Sequence, residues 1–361
     1  MAYDLRELLK IISRNSGIRD FLPGFIKDPL YVWIKKHSLK NVFQESRACH
    51  CNELFVKSNG EVYPCCRVWN RKDMKIGFVS DKNILDKVIA FVPPKCLCNK
   101  YSIRAKNSND TLKYNLLNIE LSLECQAVCA MCCVDAPMWK GKYELYDDVI
   151  RLINKMGKID KIVSQGGEIL IQKKSLDFLS SIKQSLPRDT HFSVISNANV
   201  DLTRIDEIER LFDSIDISIV GFQPETYSKV MGLKLDRTIQ FVEKLIKNGK
   251  ISVNTRFILT PLTFHEQDMF LKWALSLAPK TIILYDTNFR LYINKNTRYK
   301  FWDKIIERTI LNVKKELLNC DISKLRRNNT VIEIYDLALY GINTEFIHSN
   351  SFEGIIKEFD A

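Results

Sequence analysis

"IELSLECQAVCAMCCVDAP", Ile119 to Pro137, sets four cysteines within nine residues behind an alternating apolar segment. Alternation with period two reads as a strand, so Cys125, Cys129, Cys132 and Cys133 come just past a strand's C-terminal end. Soft, oxidisable thiols at that density have three explanations: a disulfide knot, a structural zinc or an iron–sulfur cluster. The rest of the chain bears on the choice.

The 361 residues suffice for one large domain and a smaller one, and an apolar share of 46% against 27% charged is that of a globular chain. No uncharged apolar run approaches the roughly 18 residues that span a bilayer. The opening "MAYDLRELLKIISRN" mixes charge into its apolar positions and shows no cleavage site. A cytoplasmic location without membrane contact is therefore expected. Disulfides are rare there, so eleven cysteines favour metal or catalysis over cross-linking. The net charge of +11 comes from Lys and Arg spread along the chain. A solvated surface and an anionic partner both account for it, but no arginine-rich tract or RNA-binding motif is present, so nucleic acid is not indicated.

Four regions are expected. Residues 1–44 read as short helices broken by Pro23, Gly24 and Pro29. Residues 45–110 are loop-rich and cysteine-rich, and a polar stretch, "RAKNSNDTLKYN", follows as a linker. Over 111–295 strand-like and helix-like segments alternate. The strands are "LNIELSL", "IDKIVSQGGEI", "HFSVISNAN", "SIDISIVGF", "KISVNTRFILT" and "KTIILYD". The first helix, "ELYDDVIRLINKMG", spaces Leu145, Val149, Leu152, Ile153 and Met156 helically. Six strands with intervening helices imply an α/β fold with a parallel sheet, wound open or towards a barrel. Residues 296–361 add a long helix and one more strand-like piece, "NTVIEIYDL".

Cys125, Cys129 and Cys132 are spaced C-x3-C-x2-C. Structural zinc takes four ligands, usually from two paired motifs. Three clustered thiolates suit a [4Fe–4S] cube better, with the fourth iron open to chelate a ligand. In a parallel α/β unit ligands sit at the C-terminal ends of the strands, where this loop lies. Cys133 and Cys320 read as plain thiols.

With "SQGGEIL" (Ser164–Leu170) closing the next strand, the chain resembles the radical S-adenosylmethionine (radical SAM) superfamily over residues 115–290. The resemblance implies a partial (β/α)6 TIM-like barrel with a small cysteine-rich N-terminal cluster domain and a C-terminal helical extension. It assigns a SAM-binding [4Fe–4S] cluster to Cys125, Cys129 and Cys132. Gly166 and Gly167 would let the backbone approach the methionine end of SAM, and Glu168 would offer a carboxylate to its ammonium. Met131 stands where the family usually has an aromatic residue near the adenine; a thioether can fill that place. "SNAN" resembles the family's Ser/Thr-Asn-Gly turn, with Asn197 in register and Ala198 where glycine is usual. Ser218, Asn254 and Arg256 would serve the ribose and carboxylate. Met231–Gly232 replaces an Arg-Gly pair found in many relatives.

The stretch from Cys49 to Cys98, with its "NGEVYPCC" and "KIG" phrases, resembles the SPASM or twitch auxiliary-cluster segment of radical SAM maturases, placed here ahead of the barrel. Cys51, Cys65, Cys96 and Cys98 are the ligands the resemblance implies for an auxiliary [4Fe–4S] cluster, with Cys49 and Cys66 as alternates; structural zinc is the competing reading. The activity implied is reductive cleavage of SAM to methionine and a 5′-deoxyadenosyl radical that abstracts hydrogen from a peptide or protein side chain. The one-electron donor would be a flavodoxin or ferredoxin. The alternatives are radical oxidation or epimerisation of a small molecule, such as a sugar or antibiotic precursor, and a non-catalytic iron–sulfur electron-transfer or scaffold protein.

Overall fold

A computed structural model describes residues 53–66, 68, 72–91, 115–130, 132, 134, 136, 145–260, 262–286, 298–336 and 343–348. Their organising element is one eleven-stranded sheet, ordered β11-β10-β9-β8-β7-β6-β5-β4-β1-β2-β3. The alternating unit supplies β4 (Leu116–Glu120), β5 (Lys161–Gln165), β6 (His191–Ser196), β7 (Ser214–Ile219), β8 (Ser252–Leu259) and β9 (Thr281–Asp286). These six are the strands expected from the sequence, and neighbours pair in parallel in chain order. Antiparallel β2 (Glu61–Tyr63) and β3 (Gly77–Phe78) finish one flank and β11 (Asn343–His348) the other. Among the described residues the two edges of the sheet do not pair with each other, as in a partial barrel.

Helices join the parallel strands: α2 (Tyr146–Met156), α3 (Lys173–Ser185), α4 (Ile205–Leu211), α5 (Pro224–Met231), α6 (Leu235–Asn248) and α7 (Gln267–Leu277), after a short α1 (Ile84–Ala90) in the N-terminal segment. The helical spacing read from the sequence holds in α2, where Val149, Leu152 and Ile153 are buried. Proline at its first position, where no N–H is needed, starts α5.

Two faces of the sheet differ in chemistry. Leu117 and Ile119, Ile162, Phe192 and Val194, Ile215 and Ile217, Val253 and Phe257, and Ile282 and Leu284 alternate onto one face and join the helices' apolar stripes in the main core. Burying each such side chain contributes about 1.5–3 kcal/mol. The other face carries Asn118, Glu120, Ser193, Ser214, Asp216, Ser218, Asn254 and Arg256, kept in step by the pairings Asp216–Asn254 and Ser218–Arg256. Val163, Ile195 and Ile283 share that face, so it is mixed, whereas a parallel sheet packed on both sides is largely apolar on both; its polar members mark a lining.

The sheet crosses two expected domain boundaries. β1 (Glu53–Val56), from the cysteine-rich segment, pairs in parallel with β4, and β10 (Val331–Asp336), from the C-terminal segment, pairs in parallel with β9. The long helix α8 (Arg298–Leu317) adds Val313 and Leu317 to the main core, and a short α9 (Ile322–Arg327) adds Leu325.

Candidate active site

The loop after β4 carries the thiols of Cys125, Cys129 and Cys132, all partly buried and unbridged. Its backbone rests on three turns, each at the C-terminal end of another strand or helix. The first is Gly166–Gly167, both left-handed at φ 90° and 54°. A Cβ on Gly167 would lie 2.3 Å from the Glu124 carbonyl oxygen, and one on Gly166 would lie 2.8 Å from Glu120 Cγ. The Glu168 N–H donates to that same Glu124 carbonyl at 2.8 Å. The close approach that demands glycine here is thus between the turn and the segment leading into Cys125.

Gln172, which the sequence reading did not single out, reinforces that join. Only 3% exposed, it donates from Nε2 to the Glu124 carbonyl at 2.8 Å, with Ser122 and Gly166 carbonyls at 3.4 Å. The Ser175 hydroxyl donates to its Oε1 and fixes the amide's orientation.

The second turn is "SNAN". Gln126 Nε2 donates to Asn197 Oδ1 and to the Asn199 carbonyl, both at 3.2 Å. Asn199 in turn donates to the Lys234 carbonyl and to Thr238, whose hydroxyl donates to the Asn197 carbonyl. Ala198 has φ 55°, so the position does adopt the glycine-type conformation, and its N–H is held by Ser196 Oγ at 2.7 Å. The third turn closes α5: Val128 N–H donates to the Met231 carbonyl at 2.9 Å and Ala130 N–H to the Val230 carbonyl at 3.0 Å.

Glu168 ties two of these turns together. Its side chain is fully buried and turned into the protein. Oε1 accepts from the Leu170 N–H at 3.0 Å and the Ser196 hydroxyl at 2.7 Å, and Oε2 accepts from the Asn197 N–H at 2.7 Å. Burial nonetheless lifts its carboxyl to about 7. Three protein donors reach this carboxylate, which straps the end of β5 to the end of β6. Asn197 is absorbed in the same network, so its amide also serves the loop.

Deeper in the lining, Asn254 Nδ2 donates to Asp216 Oδ1 at 2.5 Å and the Arg256 guanidinium pairs with the Asp216 carboxylate. Asp216 went unremarked in the sequence, though it stands two residues before Ser218 and so shares its face. At the strand ends, the Glu266 carboxylate accepts from the Phe222 and Gln223 N–H groups and ties the loop after β7 to that after β8.

The thiols suit a cationic, sulfur-seeking group. Burial pushes Cys125 up to about 11, and burial with the neighbouring Cys125 and Cys132 pushes Cys129 up to about 12. A soft metal centre offsets both effects by binding thiolates and releasing their protons. The Ala127 N–H faces Cys125 Sγ and the Ala136 N–H faces Cys132 Sγ, each at 3.4 Å, donors of the kind that tune cluster sulfur. Among the described residues no three His, Cys, Asp or Glu side chains gather as for a single metal ion. Met131 and Cys133 lie outside the described residues.

The N-terminal cysteines are placed differently. Cys65 is buried with Phe55, Tyr63, Val68 and Met74 in a separate small core. The Cys66 N–H donates to Glu53 Oε1 at 2.8 Å, and Asn118 Nδ2 donates to the same oxygen at 3.2 Å. Glu53 pairs with Leu116 at the start of β4, whereas Cys125 follows its end. Cys49, Cys51, Cys96 and Cys98 lie outside the described residues.

The sequence matches no protein-family model and no curated protein. Among solved structures, SuiB of Streptococcus suis shares the fold at a TM-score of 0.50 and 13% identity, over 73% of this chain and 57% of that one. The anSMEcpe structure with bound AdoMet aligns at a TM-score of 0.46 and 17% identity, over 56% of this chain and 61% of the other. Coproporphyrinogen III oxidase (HemN) of Escherichia coli, described as a radical SAM enzyme, aligns at a TM-score of 0.42 and 11% identity, over 62% of each chain. The chain spans about half the length of the SuiB structures it matches. The likeness to SuiB is one of fold: the α/β partial barrel. No helix among the described residues is long and apolar enough to cross a membrane.

Proposed function

We propose that this protein is a radical SAM enzyme. The observation that carries the reading is the C-x3-C-x2-C loop at the C-terminal end of β4, seated on the Gly166–Gly167 turn within an open parallel α/β sheet. Cys125, Cys129 and Cys132 would hold a [4Fe–4S] cluster. When bound, that cluster supplies the electron that splits SAM into methionine and a 5′-deoxyadenosyl radical.

The chain's own residues bind, orient and exclude water. Gly166–Gly167 and Gln172 hold the entry to the cysteine loop, Gln126 and Asn197 hold its middle, and the closing turn of α5 holds its outer side. Glu168 keeps the β5 and β6 turns in register. Ser218, Asn254 and Arg256 would meet the polar parts of SAM or substrate, with Asp216 orienting the latter two, and Met131 would pack near the adenine. Holding these groups fixed before reaction is the protein's contribution to cofactor chemistry.

The substrate class that fits is a peptide or protein side chain. The segment before the barrel resembles that of maturases. Solved structures of SuiB with precursor peptide SuiA and of anSMEcpe with the Kp18Cys peptide report peptide binding for those proteins. Cys65 with Cys51, Cys96 and Cys98 would carry an auxiliary cluster, Cys49 and Cys66 being the alternates. A cytoplasmic flavodoxin or ferredoxin would supply the electron.

Anaerobic reconstitution with iron and sulfide, followed by dithionite and SAM, tests the reading through mass-spectrometric detection of 5′-deoxyadenosine. Formation of 5′-deoxyadenosine dependent on Cys125 is the expected result. Iron uptake without any SAM cleavage would instead favour an electron-transfer or scaffold protein.

A further inference from the structure

We propose that the turn Val230–Gly232 is a clamp that positions the cysteine loop, with Gly232 as its determining residue. The proposal rests on the radical SAM reading of that loop and adds a positioning residue to it. A helix leaves its last carbonyls without intrahelical partners. At the end of α5, the Val230 and Met231 carbonyls find theirs in the Ala130 and Val128 N–H groups, at 3.0 and 2.9 Å. Those two donors flank Cys129, the central cysteine of the motif. One pair of hydrogen bonds thus completes the helix end and fixes the backbone on both sides of a thiol.

The contact is made by backbone, which explains the residue types. Met231 is 2% exposed and turned into the core, so position 231 contributes a carbonyl to the loop whatever its side chain. Position 232 is constrained. Gly232 has φ 70°, and a Cβ there would lie 2.3 Å from Val128 Cγ2, inside any real carbon–carbon contact. Val128 is 63% exposed, so a lone isopropyl group lies against the bare glycine at the loop's outer side. A side chain at 232 forces Val128 to turn away or lifts the loop from the carbonyls that hold it.

Gly249 supplies an internal control. It closes α6 as Gly232 closes α5, with φ 66° and ψ 16° against 70° and 21°, but a Cβ there meets nothing within 4 Å. Alanine at either site carries the same backbone strain, and at 232 alone it touches the cysteine loop. The test compares Gly232→Ala, Gly249→Ala and the double variant Val128→Ala/Gly232→Ala after anaerobic reconstitution and gel filtration. Bound iron and sulfide per chain and the electron paramagnetic resonance of the reduced protein are read, with apo-protein unfolding in urea to register strain.

The expected result is about fivefold less retained iron in Gly232→Ala than in Gly249→Ala, the factor that about 1 kcal/mol of lost docking produces, with the loss of apo stability in Gly232→Ala exceeding that in Gly249→Ala by no more than that docking. The double variant should return to the Gly249→Ala level. Iron retention in Gly232→Ala equal to that of Gly249→Ala overturns the clamp and leaves the radical reading standing. A wild-type protein that takes up no iron overturns both. If Gly232→Ala does not fold, the double variant decides. Folding and loading at the Gly249→Ala level supports the clamp, and failure to fold assigns Gly232 to the α5–α6 join and overturns it.

Discussion

Two cysteine-bearing regions of this chain are built on opposite plans. The loop of Cys125, Cys129 and Cys132 has almost no regular structure of its own, yet three turns from distant parts of the chain hold it through backbone and amide hydrogen bonds. The hairpin ahead of the barrel is regular, adds strands to the sheet edge, and buries Cys65 among aromatic and aliphatic side chains. Irregular backbone held from outside carries three partly buried thiols on one loop, whereas the hairpin's ladder buries Cys65 in its own small core. In the first plan the backbone around the thiols is held in place by the rest of the fold. The second makes the hairpin a structural graft whose cysteines need partners from elsewhere in the segment.

The two plans predict different responses to loss of thiols. Cys65→Ala with Cys96→Ala and Cys98→Ala should keep SAM cleavage while abolishing modified product, because Cys66 and its neighbour Cys65 are tied beside the start of β4, whereas the proposed catalytic cysteines follow its end. Cys66 is tied through Glu53 to Asn118, and the seven residues from Asn118 to Cys125 reach at most about 25 Å. Uncoupled 5′-deoxyadenosine formation is the expected readout. Product at a near wild-type rate in the soluble variant would leave those cysteines a structural role.

Gly167→Ala tests the seat of the loop more severely than any surface change. The added methyl meets backbone, which cannot rotate away, and the left-handed conformation adds strain. A loss of about 2–4 kcal/mol is expected, read as a lower urea midpoint together with poor iron retention. A variant of wild-type stability would show that the turn does not bear on the loop.

Glu120 probes the join between the two regions. It is 2% exposed on β4, accepts from the Ser58 N–H of the hairpin turn at 3.3 Å, and burial lifts its carboxyl to about 7. A carboxyl raised in the folded state favours folding while protonated. Its contribution is therefore full below about 4.5 and is lost as pH rises to about 7, by an amount on the order of 3 kcal/mol. Glu120→Gln should flatten that part of the stability–pH curve relative to wild type. Parallel curves would mean that Glu120 titrates as it does in the unfolded chain. The smallest effect is expected at Ala198, whose left-handed backbone costs about 1 kcal/mol. Ala198→Gly should raise the thermal midpoint slightly without altering iron content.

What the sequence disclosed followed its periodicities. The six strands of the alternating unit, the amphipathic α2 and the position of the cysteine loop at a strand end were all legible, because period-two and period-3.6 patterns and glycine turns are local signals. The supports of the loop were not. Gln126, Gln172 and Asp216 act through partners dozens of residues away, and the carbonyls of Val230 and Met231 carry no residue-specific mark at all. The strand Glu53–Val56 was hidden because four residues between cysteines and a turn read as loop until β4 is there to pair with them. Glu168 was legible as important, but its bonds to Ser196 and Asn197 were not, since a motif names a residue without naming the partners its carboxylate takes from the next strand.

Iron content and SAM cleavage, measured together in the wild type and in Cys125→Ala/Cys129→Ala/Cys132→Ala, test the central claim most directly. Two [4Fe–4S] clusters on thiolate ligands give about eight irons in the wild type and about four in the triple variant, on the usual ligation of such clusters, with 5′-deoxyadenosine abolished in the variant. A triple variant that keeps the full iron content and still cleaves SAM would contradict the assignment of the catalytic centre to this loop.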